Sequence, residues 1–137
     1  MNMPHITISK CSVNDTLFVY ECRYDPTSNK NSINQNTPTL QEHTEWFGKK
    51  LLESDVMYLK AIVGNVAIGF VRFVNTNEGI EVSICIHPEF RGCDYSKQMV
   101  YQAILIRGES EKMYSTIKLH NTISYQVFAW VSARLAI

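Results

Sequence analysis

Between residues 80 and 119 the chain reads as a strand, a tight turn, a helix and a second strand, an order that leaves few folds open. Ile80, Val82, Ile84 and Ile86 recur at every second position and line one face of the first strand. His87-Pro88 ends it and Arg91-Gly92 turns the chain. From Asp94 onward, Met99 with Ala103 and Val100 with Ile104 stack at i,i+4, and Gly108 after Arg107 is a helix stop. Ser115 to Leu119 then reads as a short strand. Two strands joined through a helix run parallel by a right-handed crossover, and ligands of such units bind beyond the carboxyl end of the first strand. The turn Arg91 to Lys97 lies at that place. The first turn of the helix leaves backbone N–H groups without intrahelical partners, and the helix dipole adds positive character, so the turn is a candidate diphosphate cradle with Arg91 and Lys97 beside it.

The rest of the chain supplies a layer for each face of a sheet. His5 to Lys10 alternates as an opening strand, and Asn14 or Asp15 can cap a helix with Leu17, Phe18 and Tyr20 on its apolar side. Asp25 to Pro38 is polar and turn-rich, which predicts a loop. Thr39 to Glu42 forms a capping-box pattern, followed by Trp46, Phe47, Leu51 and Leu52 at helical spacing. Met57 to Val63 and Val66 to Val74 flank Gly64-Asn65, a dipeptide suited to a tight hairpin. Asn121 caps a last helix carrying Ile123, Val127, Phe128 and Val131. The expected order is strand, two helices, three antiparallel strands, helix, strand, helix, as one α+β domain over residues 1–137.

Thirteen basic and thirteen acidic residues balance, and no stripe of Lys and Arg points to a nucleic-acid backbone, so the expected partner is a small molecule. No apolar run reaches the eighteen or so residues of a membrane span, and MNMPHITISK lacks the pattern of a signal peptide. A cytoplasmic protein is expected. Cys11, Cys22, Cys85 and Cys93 show neither a C-x-x-C pair nor zinc-ligand spacing, which predicts reduced, structural thiols and no metal.

At this point the residues carry a resemblance. Arg91-Gly-Cys-Asp94-Tyr-Ser96 resembles the R/Q-x-x-G-x-G/A turn of the GCN5-related N-acetyltransferases, and Asn121-x-x-Ser124-x-x-x-Phe128 is similar to their N-x-x-A/S-x-x-x-Y pattern. The element order is theirs too. The resemblance implies a mixed, mostly antiparallel sheet with a central parallel strand pair and about four helices, binding acetyl-coenzyme A as co-substrate. It places Ile84, Cys85 and Ile86 along the pantetheine arm, and Arg91, Gly92, Cys93, Asp94, Tyr95, Ser96, Lys97 and Asn121 around the cofactor. It implies Glu81 as acceptor of the amine's proton and Tyr125 as donor to the leaving thiolate, since Phe128 fills the family's Tyr position. A narrower likeness, Cys22-Arg23-Tyr24-Asp25 with Lys30-Asn31-Ser32 and Glu42-His43-x-x-Trp46-Phe47, resembles the subgroup that acetylates amino sugars on nucleotide carriers, the pseudaminic acid pathway type. It makes Arg23, His43 and Trp46 substrate-side candidates. Taken as ordinary residues, they read as a surface charge, a solvated helix residue and a core residue.

The chain also departs from that pattern. Asp94 stands at the first motif glycine, where its carboxylate costs about 1 to 3 kcal/mol beside a diphosphate, unless it serves as the helix N-cap. The family's last strands have no counterpart after Phe128, which would expose the edge at Ser115 to Leu119 and predicts a homodimer. Three functions stay open: N-acetyl transfer to a small amine, a catalytically weak coenzyme A-binding or protein-interaction relative, and peptide N-terminal acetylation.

Overall fold

The computed structural model describes residues 5–30, 33, 36–108, 112–117 and 121–135. Its centre is a five-stranded sheet in the order β1 (Thr7–Lys10), β2 (Val56–Val63), β3 (Val66–Thr76), β4 (Gly79–Ile86), β5 (Met113–Tyr114). The first four strands are antiparallel neighbours, and β4 with β5 is the parallel pair. The hairpin forms where Gly64-Asn65 predicts it, with Gly64 at φ 63°. Strand alternation then sends side chains to two helical layers.

On one face, Leu59, Val71, Phe73 and Val82 meet Met99, Val100, Ala103 and Ile104 of α4 (Ser96–Arg107) and Val127 and Val131 of α5 (Thr122–Leu135). Ile80, Ile84 and Ile86 pack against this core, as their spacing predicts. On the other face, Tyr58, Phe70 and Cys85 meet Val19 and Cys22 of α1 (Thr16–Tyr24) and Phe47 of α3 (Leu40–Lys50). Thr39 and Glu42 form the expected capping box, and the Gly108 N–H bonds to the Ile104 carbonyl at φ 101°. Burial of these apolar side chains, at roughly 1.5 to 3 kcal/mol each, is the main favourable term.

Three expectations are corrected and a fourth holds in part. Pro26–Lys30 forms a one-turn helix, α2, inside the segment expected to be loop; Pro at the first helical position needs no N–H partner there. Before α1, Ser12 and Asp15 make the capping box of a 3-10 turn over Val13–Asp15; Asp15 stands at the N-cap position of α1 as expected, but its carboxylate makes no cap hydrogen bond there and takes Lys60 Nζ at 2.9 Å, which ties α1 to β2. Leu17 is 53% exposed, while Val19 and Cys22 face inward. The last strand is Met113–Tyr114; residues 115–117 carry no strand, and 118 and 119 lie outside the described residues. Ile80 N–H bonds to Lys112 O, which sets the register upstream of the expected segment.

Candidate active site

β4 and β5 pair only at Ile80 with Met113 and Glu81 with Tyr114. Beyond Glu81, the β4 residues Val82 to Ile86 have no ladder partner on that side among the described residues. Ile84, Cys85 and Ile86 belong to this stretch. At its far end a 3-10 turn over Pro88–Phe90 leads into the Arg91–Tyr95 segment and α4. Gly92 and Asp94 both have positive φ, 79° and 62°. Tyr95 is the helix N-cap and makes no side-chain cap hydrogen bond, so the amides of the first α4 turn remain available to an anion. Alternating left-handed residues ahead of a helix N-terminus make a concave set of backbone donors, which fits a diphosphate.

Asp94 is thus not the N-cap that its residue type suggested. It occupies a left-handed backbone position that glycine fills without strain, and Asp is one of the few other residues that tolerate it. Cys93, Asp94 and Gly92 are exposed, while Tyr95, Ser96 and Lys97 are half-buried. Arg91 is ion-paired with Asp25, the residue between α1 and α2. Asn121 Oδ1 accepts the Ser124 N–H at 3.2 Å, so Asn121 caps α5 as expected. Tyr125 is 47% exposed on α5, and Phe128 packs against the core.

At the other end of β4, Glu81 lines a cavity of about 200 Å³. Cross-strand register builds its floor. Arg72 stands between Tyr58 on β2 and Ser83 on β4, and Val74 stands between Val56 and Glu81. Trp46 and Lys50 of α3 form the wall. Arg72 Nη2 lies 3.3 Å from Ser83 Oγ and 3.6 Å from Glu81 Oε1. Burial raises the pKa of the Tyr58 hydroxyl, and the charge of Arg72 and its hydrogen bond to that hydroxyl offset only part of the rise. Arg72, Tyr58 and Lys50 went unrecognised in the sequence; the signal was a lone Arg at the centre of an otherwise apolar strand, Val66 to Val74.

The three substrate-side candidates separate. Trp46 is 40% exposed on the cavity wall, where a core position was the alternative expectation. His43 is buried instead of solvated: it is 1% exposed, its Nε2 lies 3.2 Å from the Thr16 carbonyl, and it sits among the rings of Tyr20, Tyr24, Trp46 and Phe47. Arg23 lies over the Tyr24 ring at 4.7 Å and donates to Asn29 Oδ1 at 3.2 Å. His43 therefore holds α1 against α3 and does not reach the cavity surface. Asn31 and Ser32 of the narrower likeness fall outside the described residues. All four cysteines are free; burial pushes the Cys11 thiol up to about 12 and raises Cys22 as well, and the Cys85 thiol donates to the Cys22 carbonyl at 3.0 Å.

A parallel strand pair at the edge of a mostly antiparallel sheet, leading through a turn into a helix N-terminus, is the arrangement that comparison with known proteins decides. Residues 19–129 match the profile of the acetyltransferase (GNAT) family. The chain belongs to the GNAT acetyltransferase family. Its class of chemistry is N-acetyl transfer dependent on acyl-coenzyme A. Solved GNAT-fold structures superpose over nearly the whole chain. Spermidine N-acetyltransferase from Vibrio cholerae, in complex with CoA and spermine, aligns with a TM-score of 0.78 at 14% identity, over 90% of this chain and 78% of that one. An aminoglycoside acetyltransferase in complex with coenzyme A aligns at 0.75 and 12% identity, over 93% and 83%. An N-acetyltransferase from Staphylococcus aureus Mu50 aligns at 0.70 and 18% identity, over 91% and 81%. A search of curated proteins found no sequence match. Among the described residues no helix is long and apolar enough to cross a membrane.

Proposed function

We propose that this GNAT protein transfers an acetyl group from acetyl-coenzyme A to the primary amine of a small molecule, with a nucleotide-linked amino sugar as the acceptor the sequence resemblance favours. The observation that carries the reading is that β4 joins the two required places: Glu81 on a cavity wall at one end, and the Arg91 to Lys97 turn at the other. From Glu81 to Ile86 the strand rises about 17 Å, the scale of an extended pantetheine arm.

In this reading the turn and the α4 N-terminus hold the diphosphate, with Asn121 alongside, and the open edge of Ile84, Cys85 and Ile86 supplies backbone groups to the arm. Glu81 accepts the proton from the attacking ammonium, directly or through one water, so that the amine lone pair can attack the thioester carbon. A backbone N–H near Cys85 or Ile86 stabilises the developing oxyanion. When the carbon–sulfur bond breaks, the thiolate takes a proton from Tyr125, whose exposure leaves its hydroxyl accessible. Trp46 closes one side of the acceptor cavity, and Arg23 and His43 shape the helical layer behind it.

Release of free thiol from acetyl-coenzyme A, followed across a panel of amines, tests the assignment. Glu81→Gln should lower kcat/KM by roughly a hundred-fold, the scale of a positioned general base, while coenzyme A binding stays within two-fold. Thiol release that is indifferent to Glu81→Gln would remove the base from that position. Folded protein that binds coenzyme A yet turns over no amine would favour the binding-only reading, which Asp94 in the turn and Phe128 at the Tyr position support. Turnover of short peptides in preference to sugar nucleotides would favour N-terminal acetylation.

A further inference from the structure

The acceptor cavity carries an unequal set of charges. Its walls hold two cations, Lys50 and Arg72, and one carboxylate, Glu81. Lys50 already bonds Glu53 Oε2 at 3.2 Å at the rim and stands over the Trp46 ring at 5.7 Å. Arg72 differs. A guanidinium carries five N–H donors, and here its partners are Ser83 Oγ at 3.3 Å, Glu81 Oε1 at 3.6 Å and the Tyr58 hydroxyl, whereas the buried Nε has no hydrogen-bond partner among the described residues. A planar fork with donors in excess of acceptors suits a carboxylate or phosphate oxygen pair better than any other common group. Its distance from Glu81 leaves that carboxylate an unbonded oxygen for an ammonium.

We infer that the acceptor is a primary amine that also carries an anionic group, and that Arg72 selects it by binding that anion while Glu81 receives the amine. The inference rests on the acetyl-transfer reading above and specifies its substrate class. Lys50 is paired with Glu53, so a polycation meets its charge conflict at Arg72, where each close like-charged pair weakens binding by roughly five-fold or more. Polyamines are therefore disfavoured here, in contrast to the structural neighbour that binds spermine. The anion can be a carboxylate or a phosphate.

The experiment compares acceptors in pairs, two of which differ only in the anion and the third of which sets an anionic amine against a polycation, using the full chain and acetyl-coenzyme A. Leucine is set against leucinamide, glucosamine 6-phosphate against glucosamine, and a UDP-linked amino sugar against spermidine. At least one anionic member should exceed its counterpart at least ten-fold in kcat/KM, chiefly through KM. Preference in the leucine pair identifies a carboxylate, and preference in the phosphate pairs identifies a phosphate. In Arg72→Met the ratio should collapse toward one, and Arg72→Lys, which keeps charge without the fork, should retain part of it; Arg72→Gln replaces the methionine variant if that one misfolds, with the coenzyme A thermal shift as the folding check. Absence of a preference for the anionic member in every pair, or a ratio that survives loss of Arg72, overturns the inference and leaves acetyl transfer standing. If no amine is turned over, the acetyl-transfer reading fails. The charge selection is then decided by thermal shift in the presence of coenzyme A: stabilisation by the anionic amines and not by spermidine upholds it, and the reverse overturns it.

Discussion

The Arg91 guanidinium, at the head of the turn before α4, is hydrogen-bonded to the carboxylate of Asp25 between α1 and α2. The cation best placed for a phosphate is thus shared with the helical layer on the other side of the turn. A charge-assisted bond of this kind is worth about 1.5 to 3 kcal/mol, so it competes directly with a ligand anion. Arg91→Ala should weaken coenzyme A binding by roughly ten-fold in a calorimetric titration, and Asp25→Asn should tighten it several-fold at low salt. Equal affinities in Asp25→Asn and the parent would show that Asp25 and the phosphate do not compete.

Asp94 imposes two separable costs, a left-handed backbone and a carboxylate beside the cradle. Asp94→Gly removes both and should tighten coenzyme A binding five-fold or more, with stability rising by up to about 1 kcal/mol. Asp94→Ala removes the charge alone. It should match the gain in affinity while losing about 1 kcal/mol of stability by thermal melting, because Ala tolerates φ 62° poorly. If neither variant gains affinity, the carboxylate is no handicap to the ligand.

Gly69 on β3 faces the backbone of β4 so closely that an added Cβ would lie 2.6 Å from the Cys85 carbonyl oxygen. Backbone cannot rotate away as a side chain can. Gly69→Ala should therefore cost about 2 kcal/mol or more, read as a lower urea midpoint, and should weaken coenzyme A binding by displacing Cys85 and Ile86. An unchanged midpoint would mean that the β3–β4 ladder yields without loss.

Burial lowers the pKa of His43 from its ordinary 6.5, against a weaker opposing pull from the Thr16 carbonyl. As pH falls, the unfolded chain takes up this proton first. The neutral ring's contribution is complete above about pH 6.5 and declines below it until the folded ring protonates too. His43→Phe, which keeps an aromatic ring against Phe47, should flatten the stability profile below about pH 6.5 relative to the parent. Identical slopes in the two proteins would place the acid sensitivity elsewhere.

Local chemistry made much of the fold legible. The capping box at Thr39 and Glu42, the Gly64-Asn65 turn, the Gly108 stop and the alternation of Ile80 to Ile86 each depend on residues within a few positions of one another, and each recurs in the structure. What escaped depends on distant neighbours. His43 is buried because Tyr20 and Tyr24, about twenty residues earlier, close over it, and no helical periodicity records that. The acceptor cavity depends on register across β2, β3 and β4, which brings Tyr58, Arg72 and Glu81 together from three separate strands. The short helix at Pro26–Lys30 did have a signal, Asp25-Pro26, which a polar and turn-rich composition obscured.

The two hydrophobic clusters lie on opposite faces of one sheet: among the described residues, thirteen buried ones join the sheet to α4 and α5, and six join it to α1 and α3. The larger cluster backs the strand and helix that would hold the shared co-substrate, whereas the smaller one backs the Trp46 and Lys50 wall of the acceptor cavity. Substitutions of Trp46 or Lys50 on α3 alter what the cavity accepts without touching the larger cluster, so a designer seeking a new acceptor would vary that helix and keep Asp25, whose bond to Arg91 reaches the turn before α4.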